Sequence, residues 1–113
     1  MNPALPSDIH SILLNSLKDA FVFVDTEHII QYMNSAAVSR YKDGDSLLGK
    51  SIFSCHNSAS QDMMIEIFEK MKSGLEEEII TDNEKHRIYM RAVRDQNGNL
   101  LGYYERFEPP VKR

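Results

Sequence analysis

Gly49-Lys50-Ser51-Ile52-Phe53-Ser54-Cys55-His56-Asn57-Ser58-Ala59-Ser60 divides the chain. Ahead of it the sequence reads as two strands and short helices. Behind it come one longer helix and a three-stranded antiparallel run. Ser58, with Gln61 three residues on, reads as a capping box. Met63, Met64, Ile67, Phe68 and Met71 then fall on one face of a helix. Glu66 and Lys70 sit four apart on its solvent side, in the favourable order, and Gly74 ends it. The predicted helix covers 60–73. The same stretch holds the only cysteine, directly before a histidine, so any chemistry is to be sought there first.

Upstream, Ser7 or Asp8 can cap a helix over 8–18. Ile9, Ile12, Leu13, Leu17 and Ala20 recur there at helical spacing. That apolar stripe needs a surface, either the body of its own domain or a second copy. Phe21-Val22-Phe23-Val24 is a strand without polar alternation, which predicts burial on both faces or a central position. Asp25-Thr26-Glu27-His28 links it to a second strand, Ile29 to Met33, as a hairpin. Asn34-Ser35 caps a short helix reaching Tyr41. Lys42-Asp43-Gly44-Asp45 is a turn, and Leu47-Leu48 leads into Gly49.

Downstream, Glu76 to Thr81 and His86 to Arg94 read as strands around the turn Asp82-Asn83-Glu84-Lys85. Asn97-Gly98 is a strong hairpin signal, because both residues tolerate positive φ. Leu100 to Glu108 is the last strand, stopped by Pro109-Pro110. Residues 1–7 are a lead-in, 8–108 one domain and 109–113 a tail. The expected fold is α+β: a five-stranded antiparallel sheet with helices on one face and an N-terminal amphipathic helix.

Composition narrows the function. The 113 residues make one domain, with 42% apolar and 27% charged residues and a net charge of −4. That is an ordinary globular balance. Without a basic stripe, nucleic acid is not the expected partner. The apolar runs are too short to span a membrane, and no export signal opens the chain. One cysteine forms no internal disulfide, which fits a reducing cytoplasm. No Ser-His-Asp order, nucleotide loop or paired-carboxylate motif is visible, so an enzyme is not expected.

From about Ser16 to Phe107 the chain resembles the PAS domain. Phe23-Val24-Asp25 followed by Ile29-Ile30-Gln31-Tyr32-Met33-Asn34 looks like that family's first hairpin and the asparagine after it. Leu48-Gly49-Lys50-Ser51 looks like the glycine that leads to its ligand-side helix. Ala92-Val93-Arg94-Asp95-Gln96-Asn97-Gly98 with Leu101-Gly102-Tyr103 looks like its last hairpin. Gly49-Lys50-Ser51, Cys55-His56 and Ala92-Val93-Arg94-Asp95 look most like PAS modules found beside hemerythrin-like domains. Those carry a Cys-His-Pro run, where this chain has Asn57. The resemblance implies a sensory module with a small ligand between sheet and helices. It implies homodimerisation through the N-terminal helix and signalling to a separate output protein or domain. A ligand-free homodimerisation module is the alternative.

Cys55, His56 and Asn57 are the expected wall of the ligand site, with Met33, Met64, Phe68, Tyr89 and Tyr103 as apolar lining. Strand alternation puts Tyr89, Arg91 and Val93 on one side and Met90, Ala92 and Arg94 on the other. An inward Arg91 would hold an anionic ligand group; a rim or surface salt bridge is its plainer reading. Thiolate and imidazole are good zinc or iron ligands, so Cys55 and His56 also suit a metal- or haem-linked redox sensor. The plainer reading is a small buried apolar Cys55 and a loop-bonding His56. No metal is expected otherwise, since His10, His28 and His86 are scattered. Haem is disfavoured because the long helix carries Met63 and Met64 where the oxygen-sensing relatives carry histidine. Flavin–cysteine photochemistry is disfavoured because Ile52 stands three residues after Gly49, where the light-sensing relatives carry cysteine. The cofactor is thus undetermined, a small organic molecule being the leading expectation.

Overall fold

The computed structural model describes residues 5–110; residues 1–4 and 111–113 and the side chain of Cys55 lie outside the described residues. Three α-helices and five strands follow one another: α1 (Ile9–Asn15), β1 (Phe21–Asp25), β2 (Ile30–Met33), α2 (Ser35–Arg40), α3 (Ser58–Lys72), β3 (Glu77–Asp82), β4 (Arg87–Arg94) and β5 (Leu100–Glu108). Short 3-10 turns at Gly44–Leu47 and Ile52–Cys55 separate α2 from α3. The sheet is antiparallel, ordered β2-β1-β5-β4-β3. The expected architecture is therefore observed. β5, last in sequence, occupies the centre of the sheet.

Asn34 joins four segments. Its side chain is fully buried. Its Oδ1 accepts the backbone N–H of Phe21 at 3.0 Å and of Ala37 at 2.9 Å, and its Nδ2 donates to the carbonyls of Leu14 at 2.9 Å and Asp19 at 3.1 Å. One amide thus starts β1, caps α2 and ties down the end of α1. An amide with two donors and a two-lone-pair acceptor can do this; a carboxylate, which only accepts, cannot.

The Gly49–Ser60 stretch closes the β2 edge. Gly49 N–H donates to Ile30 O at 2.8 Å, Ile30 N–H to Lys50 O at 2.9 Å, and Ile52 N–H to His28 O at 2.9 Å. These bonds occupy edge groups that would otherwise be open to pairing. The start of α3 departs from the expected capping box. Asn57 is the N-cap, its Oδ1 accepting Ser60 N–H at 2.9 Å, and Ser58 is already helical. Gln61 instead donates to the Phe53 and His56 carbonyls, at 3.0 and 2.9 Å, holding the preceding turn against the helix.

At the other end of α3, Arg94 Nη2 donates to the Met71 carbonyl at 2.6 Å, while its Nε pairs with Glu76 at 3.1 Å. A guanidinium there adds a second donor to a carbonyl at the helix end that already accepts the Gly74 N–H at 3.1 Å. Met64, Ile67, Phe68 and Met71 of α3 are buried with Val22, Val24, Ile30, Met90 and Tyr103 from the sheet. Burying one such side chain is worth ~1.5–3 kcal/mol. β1 is buried on this inner face alone, its residues alternating half-buried and buried; its aromatic positions 21 and 23 lie on the outer face. Of the two expectations for this strand, the interior position is the one observed, since β1 pairs with β2 on one side and β5 on the other. The helix expected over 8–18 is shorter, and none of its residues is buried.

Candidate functional site

Register decides what each strand contributes. Val22 and Val24 of β1 pair with Glu105 and Tyr103 of β5, which pair in turn with Met90 and Ala92 of β4. These side chains share the inner face, under α3. Phe23, Tyr104, Arg91 and Glu77 form the next row, on the outer face. There Phe21 and Tyr104 stack with ring centroids 4.5 Å apart, and the Arg106 guanidinium lies 4.4 Å from the centre of Tyr89. Arg91 and Arg106 share Glu77, at 3.7 and 3.3 Å. Tyr89 and Arg91, expected in the ligand wall, therefore stand on the opposite face. The cause is strand parity: Met90 and Ala92 take the apolar side, and Glu77 holds Arg91 across the β3–β4 pair.

The other expected residues converge more closely. Met33, Met64, Phe68 and Tyr103 are all buried on the inner side. Asn57 is spent as the helix cap. The side chain of Cys55 lies outside the described residues; its backbone ends the turn at Ile52–Cys55. His56 is half-buried, its Nδ1 2.8 Å from the Ile52 carbonyl. Among the described residues, no three His, Cys, Asp or Glu side chains gather so as to hold a metal ion.

His28 is the residue that sequence reasoning missed. It ends the β1–β2 turn with φ +64°, the only positive φ outside glycine among the described residues. That conformation costs about 1–3 kcal/mol and persists only where surroundings enforce it. The enforcement is visible. Asp25 Oδ1 accepts the N–H groups of Glu27 at 2.8 Å and Ile29 at 3.1 Å, and Gln31 donates to Oδ2 at 2.7 Å. The imidazole is thereby turned inward. Its Nδ1 is 2.9 Å from the Tyr103 hydroxyl, and its ring centroid is 4.6 Å from Phe53, 4.9 Å from Phe68 and 5.7 Å from Tyr103. Burial holds the imidazole below the ordinary histidine range, against the pull of the Asp25 carboxylate. Burial likewise raises the Tyr103 phenol, with Glu105 and Asp25 adding to the effect. Both groups are neutral near pH 7.

Glu105 was also missed as a site residue. It is 1% exposed, on the central strand, and its Oε1 has no hydrogen-bond partner. Burial raises its pKa, and the nearby His56 opposes that rise. The signal was present in the sequence. Glu105 lies two residues from Tyr103 and two from Phe107, so an inward Tyr103 requires an inward Glu105.

An antiparallel sheet with one long helix packed on its inner face, and His28, Tyr103 and Glu105 turned toward that face, sums up the α+β architecture. The chain belongs to the PAS domain family, whose model matches residues 11–108. Solved structures carry the same fold. The C-terminal domain of a protein from Streptococcus mutans superposes with a TM-score of 0.78 at 24% identity, over 96% of this chain and 88% of that one. A PAS domain of a protein from Colwellia psychrerythraea gives 0.71 at 12% identity, over 94% and 98%. A sensory box sensor histidine kinase from Vibrio cholerae gives 0.65 at 16% identity, over 92% and 91%. No curated protein matches the sequence. PAS domains are in general sensory rather than catalytic modules. No helix among the described residues is long and apolar enough to cross a membrane.

Proposed function

We propose that this chain is a cytoplasmic sensory module that takes a small organic ligand between the inner sheet face and α3, and signals as a homodimer. The observation that carries the ligand half is the inward cluster of His28, Tyr103 and Glu105. Polar groups so placed are costly in a plain core, and a strained backbone marks positions held for a purpose. Phe53, Phe68, Met64 and Met33 supply apolar wall, and the Cys55-His56 turn forms the side nearest α3's start.

The dimer half is supported by α1. Ile12, Leu13 and Leu17 are 44%, 57% and 46% exposed. The helix is held to the body through Asn15 Oδ1, which accepts from the Tyr32 hydroxyl and the Ser35 N–H, both at 3.0 Å, with the Tyr32 hydroxyl also 3.4 Å from the Ser11 carbonyl. A second copy would cover that stripe. Ligand binding would then bias the dimer by preferring one packing of α1, and a separate output protein or domain would read the change. Titration of ligand candidates with sedimentation velocity as the readout tests the whole reading; a dimer mass and shape that no small molecule alters would leave the plain dimerisation module.

One observation favours a second reading, a haem- or metal-linked sensor. His56 Nδ1 lies on a backbone carbonyl, the arrangement that orients a ligating imidazole. Cys55 and His56 would then hold the metal, and iron or haem iron would supply redox or gas chemistry. An absorption spectrum with elemental analysis, on protein from cells supplied with iron and haem precursor, decides it: a Soret band or stoichiometric metal, lost in Cys55→Ser or His56→Ala, is required.

A further inference from the structure

We infer that the ligand of the inner site carries a positively charged nitrogen, bound by the Glu105 carboxylate with the His28, Phe53, Phe68 and Tyr103 rings as its wall. The inference rests on the ligand-site reading above and gives that site its chemistry. Three observations carry it.

The first is the orphaned oxygen. Glu105 Oε1 is buried without a partner in the middle of the sheet floor, with Val22 and Met90 as its cross-strand neighbours. Buried polar atoms are paired in the great majority of cases, and an exception calls for a partner not yet in place. A nitrogen cation supplies N–H donors to that oxygen, and a charge that lets the carboxyl ionise despite burial.

The second is the distribution of charge. The arginines that could receive an anion are engaged elsewhere: Arg91 by Glu77 on the outer face, and Arg94 by Glu76 and the end of α3. In the field at His28, the Asp25 and Glu69 carboxylates oppose the single Lys72 ammonium. Among the described residues, His56 is the basic group that opposes the rise in the Glu105 pKa. An anionic ligand would meet the Glu105 carboxyl, with Arg91 and Arg94 engaged elsewhere.

The third is the wall. Phe53 and Phe68 lie 4.6 and 4.9 Å from His28, and Phe68 lies 5.8 Å from Tyr103, centroid to centroid. Aromatic faces attract cations, and Phe68 already has the Lys72 ammonium 5.1 Å from its centroid. A carboxylate at the floor and aromatic rings at the side suit a protonated amine.

The test uses the full chain with methyl-13C methionine, benzylammonium as the charged probe and benzyl alcohol as its uncharged counterpart. The Met90 methyl, opposite Glu105, reports occupancy. Benzylammonium should shift Met90 with at least tenfold higher affinity than benzyl alcohol, and Glu105→Gln should remove that preference. Equal binding of the two probes, or an undiminished preference in Glu105→Gln, overturns the cation assignment and leaves the ligand site standing. Failure of both probes to move any inner-face methionine overturns the assignment and the ligand site together. The comparison of probes within the unaltered chain holds even if Glu105→Gln folds poorly.

Discussion

The His28 Nδ1 and the Tyr103 hydroxyl meet at 2.9 Å across 75 residues of sequence. The pair fastens the turn between the first two strands to the central strand, and the positive φ of His28 is what brings the imidazole there. Tyr103→Phe should therefore cost about 1 kcal/mol of stability, since it removes one hydrogen bond and leaves a half-buried ring nitrogen unpaired. Urea unfolding measures the cost, and the 15N shifts of the His28 ring identify its origin. Unchanged stability together with unchanged imidazole shifts would contradict the pairing.

Glu105 makes stability depend on pH in a stated direction. Burial raises its folded-state pKa above the ordinary carboxylate value, which the unfolded chain retains. Below that ordinary value both states are protonated, and the buried carboxyl carries no penalty. As pH rises toward and through the folded pKa, the unfolded state sheds its proton first and stability falls. Glu105→Gln should therefore match the parent chain near pH 4 and exceed it increasingly toward pH 8. His28, whose folded pKa is lowered by burial, loses stability as pH falls below the ordinary histidine value. It does so in both proteins, so it cancels in the difference. A difference that is flat with pH would refute the buried carboxyl.

Gly102 lies where β5 crosses β1, at φ +149°. A Cβ there would run into the Val24 carbonyl oxygen and stand 2.9 Å from the Asp25 Cα. Both obstacles are backbone and cannot swing aside. Gly102→Ala should destabilise the fold by about 3 kcal/mol or more, combining strain with overpacking. A loss below about 1 kcal/mol, read from the denaturant midpoint, would mean that β1 and β5 can separate at little cost.

The stripe on α1 separates assembly from folding. No residue of that helix is buried in the single chain. Leu13→Glu combined with Leu17→Glu should leave the thermal midpoint within the change expected of surface substitutions, about 0.5 kcal/mol, while shifting sedimentation equilibrium from dimer toward monomer. An unchanged mass would place the interface elsewhere.

Much of this architecture was legible because local chemistry and global fold agree. Asn97-Gly98 and the polar Asp25–His28 link mark two hairpins, and the Met64-Ile67-Phe68-Met71 stripe marks the helix that covers the sheet. Asn34 was legible as a helix cap, but not as the hub it is, because three of its four bonds reach residues 13 to 20 positions away. Arg91 shows what alternation leaves open. Tyr89 and Val93 are as apolar as Met90 and Ala92, so pattern alone gave the parity of β4 without saying which side faces α3. The cross-strand partner Glu77 settles it, and that register is a tertiary fact. His28 was hidden for a different reason: nothing in Asp25-Thr26-Glu27-His28 announces that its last residue will adopt a left-handed backbone and turn its ring inward.

Native mass spectrometry of the chain, purified without chelators, tests the central claim most directly because it reads oligomeric state and bound mass together. The account predicts a dimer carrying added mass in the range of a small organic molecule. A spectrum showing only the bare chain mass, as monomer or as dimer, would contradict it.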